Sequence, residues 1–239
     1  MSIDIPVFTE NVILRLSGGA DSAILMWLIC NEWNKQKTPL NLYTITVVHE
    51  KRPWQSYHAQ QVHDFISQEF PNINHLEFKS ELCTDPGGTS TQPDRWSNRY
   101  VEKQTKLIYE TIDKIGADVQ IFNGVTSNPP KEIGEKLWGW SETFKDIWEC
   151  REKHRDWENR HNQKLIDHGM MDGINQWYCN PFGQSHKEHV IRIYRKHNLI
   201  DTLLPLTRSC EGWDYITDGF TKECGQCWWC KEREWALNV

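Results

Sequence analysis

Apolar residues along the chain come in two rhythms. Val12, Ile13, Leu14 and Leu16 form a short run read as a buried strand, and after Gly18-Gly19 the apolar side chains recur at Ala23, Leu25, Met26, Leu28, Ile29 and Trp33, the spacing of a helix. "LYTITVV", 42–48, is rich in β-branched residues and predicts a second strand, followed by a helix beginning near Ser56 and running to Phe70. "HLEF", 75–78, predicts a third strand, 100–115 a helix, and "DVQIFNG", 118–124, a fourth strand that stops at Asn123-Gly124. Strands alternating with helices predict an α/β fold with a doubly wound, mainly parallel sheet. Ligands of such sheets collect at the carboxyl ends of the strands, where "SGGADS" and "NGVTSNPP" both fall, so the two loops should face one crevice.

Two stretches interrupt the alternation. Residues 84–97 are a loop rich in Gly, Pro, Ser and Thr and long enough for a mobile function. Over 131–168 charges of both signs interleave with Trp140, Phe144, Ile147 and Trp148, which share one face of a helix starting near Ser141. That stripe reads as a surface helix packed by its aromatics, with a lid or a subunit contact as the alternative, and it marks a helical insertion over about 131–175. The alternation resumes at Pro181, and Ser185 with Glu188 spells a capping box opening a helix to about His197. The expected organisation is a nucleotide-binding α/β domain over 1–205 and a small metal-binding subdomain over 206–239.

Composition narrows the function. The formal net charge is −6 with no run of like charges, which argues against a general nucleic-acid backbone binder but leaves room for a small basic pocket. No segment approaches the roughly 20 apolar residues of a membrane span. The amino-terminal residues lack the order of a signal peptide, so the expected location is the cytoplasm. In a reducing compartment eight cysteines are not a disulfide frame, and four of them gather near the carboxyl terminus, where metal is the better reading. The 13 tryptophans are assigned to packing.

The glycine turn carries the first candidate chemistry. Backbone amides at a strand-to-helix turn, with glycines permitting close approach and the helix adding its partial positive charge, form an anion site. Ser17, Gly18, Gly19, Ala20, Asp21 and Ser22 would hold phosphate: the two hydroxyls can donate to phosphate oxygens, and Asp21 fits either as a helix cap or as a ligand to a metal bridging the phosphates. No Gly-x-x-x-x-Gly-Lys is present, so this is not a Walker loop.

Cysteines carry the second. Cys224, Cys227 and Cys230 form two overlapping Cys-x-x-Cys pairs around Gly225, and Cys210 is available across a loop as a fourth ligand. Four thiolates predict closed tetrahedral zinc with a structural role, since no position is left for water.

"SGGADS" resembles the signature of the PP-loop ATP pyrophosphatase superfamily. Together with Cys-Gly-x-Cys-x-x-Cys followed closely by Arg233, and with "NPFGQSHKEHVIRIYRKHNLIDTLLPLTRSCEG" between them, the chain resembles the 7-cyano-7-deazaguanine synthase family across nearly its whole length. The resemblance implies a Rossmann-like fold, ATP, Mg2+ and structural Zn2+. It also implies a reaction in which 7-carboxy-7-deazaguanine is adenylated, ammonia makes the amide, and a second ATP dehydrates the amide to the nitrile. Ser17, Asp21 and Ser22 then act on the phosphates, and Lys187 matches the family's helix-opening lysine, neutralising phosphate or carboxylate charge unless it is merely solvated. Arg15 stands where the family has an apolar residue and needs an anion; with Asn123 and Ser127 it is a candidate substrate contact. After the fourth strand "VTSNPP" replaces the family's Asp-Tyr-Ser-Gly-Tyr-type loop. The same chemistry on a tRNA base or a protein amine is therefore the first alternative, and a non-catalytic nucleotide- and zinc-binding interaction protein the second. Nucleic acid is not expected as a direct partner, and a homodimer is left open.

Overall fold

The structure is a computed structural model that describes residues 5, 7, 9–36, 39–50, 52–84, 98–139, 145, 148–149, 176–211, 218 and 221–239. Its elements run β1 (Asn11–Arg15), α1 (Ala20–Gln36), β2 (Asn41–Thr46), α2 (Pro53–Glu69), β3 (Asn74–Lys79), α3 (Asn98–Ile115), β4 (Val119–Phe122), α4 (Lys131–Trp138), β5 (Gln176–Cys179), α5 (Lys187–Lys196), a 3-10 turn (Leu204–Leu206) and α6 (Trp228–Leu237). The strands form one five-stranded sheet in the order β3-β2-β1-β4-β5. Every pairing in it is parallel. An asparagine ladder at the amino ends helps fix the register: Asn74 Nδ2 donates to Asn41 Oδ1 at 2.9 Å, and Asn41 Nδ2 donates to Asn11 Oδ1 at 3.0 Å.

Both faces of the sheet are covered. Val12, Leu14, Leu16, Leu42 and Phe122 pack with α1, α2, α5 and α6 in the larger core, and Ile13, Ile45, Val119, Ile121 and Tyr178 pack with Leu107, Ile108 and Ile112 of α3 on the other side. Alternation along β1 thus sends Leu14 and Leu16 towards α1 and puts Arg15 on the α3 face with Ile13. α1 buries eleven of its 17 residues, which makes it a core helix; each fully buried Leu, Ile or Met is worth about 1.5–3 kcal/mol. Ala236 of α6 lies in the same large core, so the carboxyl-terminal segment is docked on the sheet domain. Among the described residues no helix is long and apolar enough to cross a membrane.

Several boundaries differ from expectation. α2 starts at Pro53 rather than Ser56, because proline at the first helical position needs no N–H partner and carries a helical φ. β5 was not expected: four residues are too short for periodicity to reveal, and only pairing with β4 defines them. The capping box lies one residue later than Ser185 and Glu188 suggest. His186 is the N-cap, and its N–H donates to His189 Nδ1 at 3.2 Å, while Ser185 N–H bonds Phe182 O in the preceding turn. Trp140, Phe144, Ile147 and most of the 84–97 loop lie outside the described residues.

Candidate active site

β1 connects to β2 on one side of the sheet while its other neighbour, β4, leads to β5, so the order reverses between β1 and β4. The loops leaving these two strands bound a cavity of about 300 Å³ at the carboxyl edge. The expectation that "SGGADS" and "NGVTSNPP" share one crevice is met: Ser17, Gly19, Ala20, Asp21 and Ser22 line it from one side, and Asn123, Gly124, Val125 and Thr126 from the other.

The first loop is held by its own atoms. Gly18 has φ +73°, and a Cβ there would stand 2.7–2.8 Å from Ala59 N, Gln55 O and His58 Cβ of α2, so only glycine fits. The Ser17 and Ser22 hydroxyls lie 3.2 Å apart, Gly19 N–H points at Ser17 Oγ at 3.4 Å, and Ser22 Oγ donates to Gly19 O at 3.1 Å. Tyr194 on α5 donates its hydroxyl to Ala20 O at 2.7 Å; burial, and then the charge of Asp21, raises its pKa well above the usual value and keeps it a donor. Gly124 closes the other side, because a Cβ on it would come within 3.1–3.2 Å of the Asp21–Ser22 backbone.

Lys187 and Asp21 form an ion pair at 2.5 Å, with the lysine only 3% exposed. The pair unites α5 with the first turn of α1, residues 166 positions apart. The lysine is thus buried and ion-paired on the cavity wall. Asp21 Oδ1, the other carboxylate oxygen, is buried with no hydrogen-bond partner among the described residues, and so is Gln55 Oε1 on the cavity wall. Native proteins leave few such groups unsatisfied, and here both bound a cavity; a polar ligand is what they fit. A carboxylate oxygen of this kind also fits a Mg2+ ligand.

Arg15 reaches the same cavity from the opposite face of the sheet, beside Tyr100, Gln104 and Thr105 of α3. Burial lowers its pKa below the usual guanidinium value, with Tyr178 and then Tyr100 acting the other way. Arg52 adds a second cation, 3.5 Å from Glu211 and 5.9 Å from the centre of the Tyr100 ring. Of the expected substrate contacts, Arg15 and Asn123 line the cavity. Ser127 does not: its hydroxyl lies 3.3 Å from His186 Nδ1, and its N–H bonds Ser185 O, so it ties the β4 loop to the start of α5.

The four expected metal ligands come together. The sulfurs of Cys210, Cys224, Cys227 and Cys230 all lie within 4.8 Å of one another, and Cys224 and Cys230 Sγ are 3.9 Å apart. A tetrahedral ion with metal–sulfur bonds of about 2.3 Å would hold its sulfurs about 3.8 Å apart, so the set fits one metal ion. Gly225, φ +67°, turns the knuckle, and the N–H groups of Cys224 and Cys227 point at Cys210 Sγ and Cys224 Sγ at 3.2 and 3.3 Å, as amides do towards thiolates. Crowded as thiols, the sulfurs resist ionisation: Cys227 is pushed up to about 12, chiefly by its hydrogen bond to Cys210.

Sequence reading missed the residues between the two centres. Arg208, Ser209, Glu211 and Trp229 line the cavity, and each is within two positions of a clustered cysteine. Their signal in the sequence is "TRSCE", a string of polar residues around Cys210.

No family model matches the chain, and no curated protein matches it. Among solved structures it is similar to the U34-tRNA thiolase NcsA from Methanococcus maripaludis with its [4Fe-4S] cluster, at 15% identity and a TM-score of 0.42. The match covers 79% of this chain and 56% of that one.

Proposed function

We propose that this chain is an ATP-dependent enzyme that adenylates a carboxylate of an acceptor and transfers the activated acyl group to ammonia. The observation that carries the proposal is the pairing of a glycine loop at the β1–β4 reversal with a buried Lys187–Asp21 pair whose second carboxylate oxygen has no hydrogen-bond partner among the described residues. The loop amides and the Ser17 and Ser22 hydroxyls bind the β- and γ-phosphates of ATP, and Lys187 offsets their charge. Asp21 would hold Mg2+, which supplies further neutralisation of phosphate charge when bound.

The acceptor carboxylate is placed by Arg15, across the sheet edge from the loop. One of its oxygens attacks the α-phosphorus, the bond to the β-phosphate oxygen breaks, and pyrophosphate leaves on the loop. Ammonia then attacks the acyl carbon, loses a proton, and expels AMP. The amide oxygen attacks the α-phosphorus of a second ATP with loss of pyrophosphate and one N–H proton, and expulsion of AMP with the second N–H proton leaves the nitrile. Holding the two reactants in one cavity is the main contribution of the protein, with fixed dipoles and cations aimed at the developing charge.

The proposed acceptor is 7-carboxy-7-deazaguanine. The motifs at both ends of the chain support it, as do Gln104 and Asn123, whose amides on the cavity wall can pair with the edge of a heterocycle. Zn2+ is the proposed ion of the cysteine cluster, because four thiolates close together suit a single tetrahedral ion, whereas a four-iron cluster spreads its thiolates over separate corners. Mass spectrometry of the protein incubated with ATP, Mg2+, ammonium and 7-carboxy-7-deazaguanine tests the proposal. AMP together with the amide and nitrile masses is expected. AMP with unchanged deazaguanine would move the activity to another acceptor, and no AMP at all would leave a nucleotide-binding role.

A further inference from the structure

Residues 207–211 run from the phosphate loop straight into the cysteine cluster. At the near end Arg208 N–H bonds Gly18 O at 2.9 Å, and Ala20 N–H, in the first turn of α1, points at Ser209 Oγ at 3.4 Å. At the far end Cys210 is fully buried among the four sulfurs. Glu211, the next residue, pairs with Arg52 at 3.5 Å on the cavity wall. Trp229 lies between Cys227 and Cys230 and lines the cavity as well. One wall of the cavity is therefore built from the immediate neighbours of the metal ligands.

The anchors of this strap are unequal. Upstream, Thr207 is fixed without any metal: its N–H and hydroxyl bond Leu204 O at 3.1 and 2.7 Å, and Arg233 Nη1 donates to Thr207 O at 3.3 Å. Downstream, Cys210 meets Cys227 and Cys230 at the start of α6 within the four-sulfur cluster, and Arg208 Nη2 donates to Lys222 O at 2.6 Å, just before Cys224. A metal ion on the sulfurs would add a cross-link at Cys210, next to Ser209, while the 3-10 turn, the ion pair of Glu211 with Arg52 and the packing of α6 on the core do not depend on it.

Resting on the nucleotide reading above, we infer that the metal of the cysteine cluster and the nucleotide bind cooperatively, with Ser209 as the positioning residue that couples them. A nucleotide in the loop favours the ordered strap, and so does the ion. Each must then raise the affinity of the other by the same factor, because coupling free energy is reciprocal. The cost of ordering residues 209–211 falls once, on whichever ligand binds first.

The test uses the full chain loaded with Zn2+ and the analogue α,β-methylene-ATP, which binds without turnover. Calorimetry on loaded and chelator-stripped protein should show analogue binding weakened by on the order of tenfold after stripping. Conversely, saturating analogue should slow transfer of Zn2+ to a chromogenic chelator by a comparable factor. Far-UV circular dichroism checks that the stripped chain stays folded. If stripping unfolds it, Ser209→Ala in the loaded protein decides: zinc content stays at wild type, but the analogue no longer protects the metal, and Ser209→Thr restores protection. Equal analogue affinity with and without zinc, or full protection in Ser209→Ala, overturns the coupling while leaving nucleotide binding in place. Failure of the analogue to bind the loaded wild type at all overturns the nucleotide reading, and the coupling with it.

Discussion

The glycine loop after β1 and the cysteine knuckle are both tight turns at a helix start, both pivot on a glycine with positive φ, and both gather polar atoms in a small space. They differ in what keeps them in shape. The loop is fixed by covalent neighbours and packing: Gly18 is wedged against α2, the serines bond each other and the local backbone, and Lys187 pins Asp21. Around Gly225 of the knuckle there is open space among the described residues, and its four sulfurs lie within 4.8 Å of one another. A site for a labile substrate is preorganised by the fold so that binding energy goes into chemistry, whereas a site for a resident ion can let the ion do the organising. The strap between them is where the two regimes meet.

The largest break in this comparison comes from the charge pair. Asp21→Asn keeps the shape of the side chain but leaves Lys187, 3% exposed, as a buried cation without its counterion. Removing one partner of a buried pair costs about 3–5 kcal/mol. AMP formation should fall by at least about a hundredfold, since an anionic ligand at the phosphates and the partner of Lys187 disappear together. The cysteine cluster should still take up its metal. Urea unfolding, AMP release and metal content measured on one preparation separate these effects, and a variant with normal turnover would show that Asp21 is only a helix-end acid.

How much of this was legible in the sequence follows from the range of the interactions involved. The β1 turn and the knuckle declare themselves because their residues are adjacent in the chain, and spacing alone reports the geometry. Strands β1 to β4 were readable from apolar runs and β-branched residues. β5 was not, because "QWYC" is defined by its partner β4 and not by a pattern of its own. The same limit hid Tyr100 and Gln104, which join Arg15 at the cavity only after the sheet and α3 are assembled. Ser127 shows the converse: its place after β4 makes it a candidate site residue, and the loop turns its hydroxyl towards His186.

Two glycines sharpen the contrast at a smaller scale. Gly18→Ala combines a left-handed backbone, about 1–2 kcal/mol for a residue with a Cβ, with contacts of 2.7–2.8 Å to backbone and Cβ atoms of α2 that must be relieved. Overpacking of that kind adds about 1–3 kcal/mol. Gly225→Ala meets the same backbone penalty, φ +67°, but among the described residues nothing lies within 4 Å of its new methyl. The expected losses are about 2–5 kcal/mol for the first and about 1–2 for the second. Denaturant midpoints on metal-loaded protein check the ranking, and an equal or reversed order would mean that α2 yields to the loop instead of fixing it.

The smallest effect concerns His58, the α2 residue whose Cβ backs Gly18 and whose Nδ1 lies 2.8 Å from Leu206 O. Burial is the main cause that lowers its pKa below the ordinary value, so the unfolded chain binds a proton more readily than the folded one. Its contribution is present in full above about pH 6.5 and is lost as pH falls through that value towards the lower folded pKa and beyond. His75, His189 and His197 are lowered in the same direction, chiefly by burial, and they steepen the same limb. His58→Gln should make the loss of stability between about pH 7 and 5 shallower without abolishing it, because those three remain. Urea midpoints across that range provide the readout. The flattening should appear equally in metal-loaded and stripped protein, since His58 braces the loop from α2 and not from the knuckle; a slope that changes only when zinc is bound would place the histidine's influence on the strap.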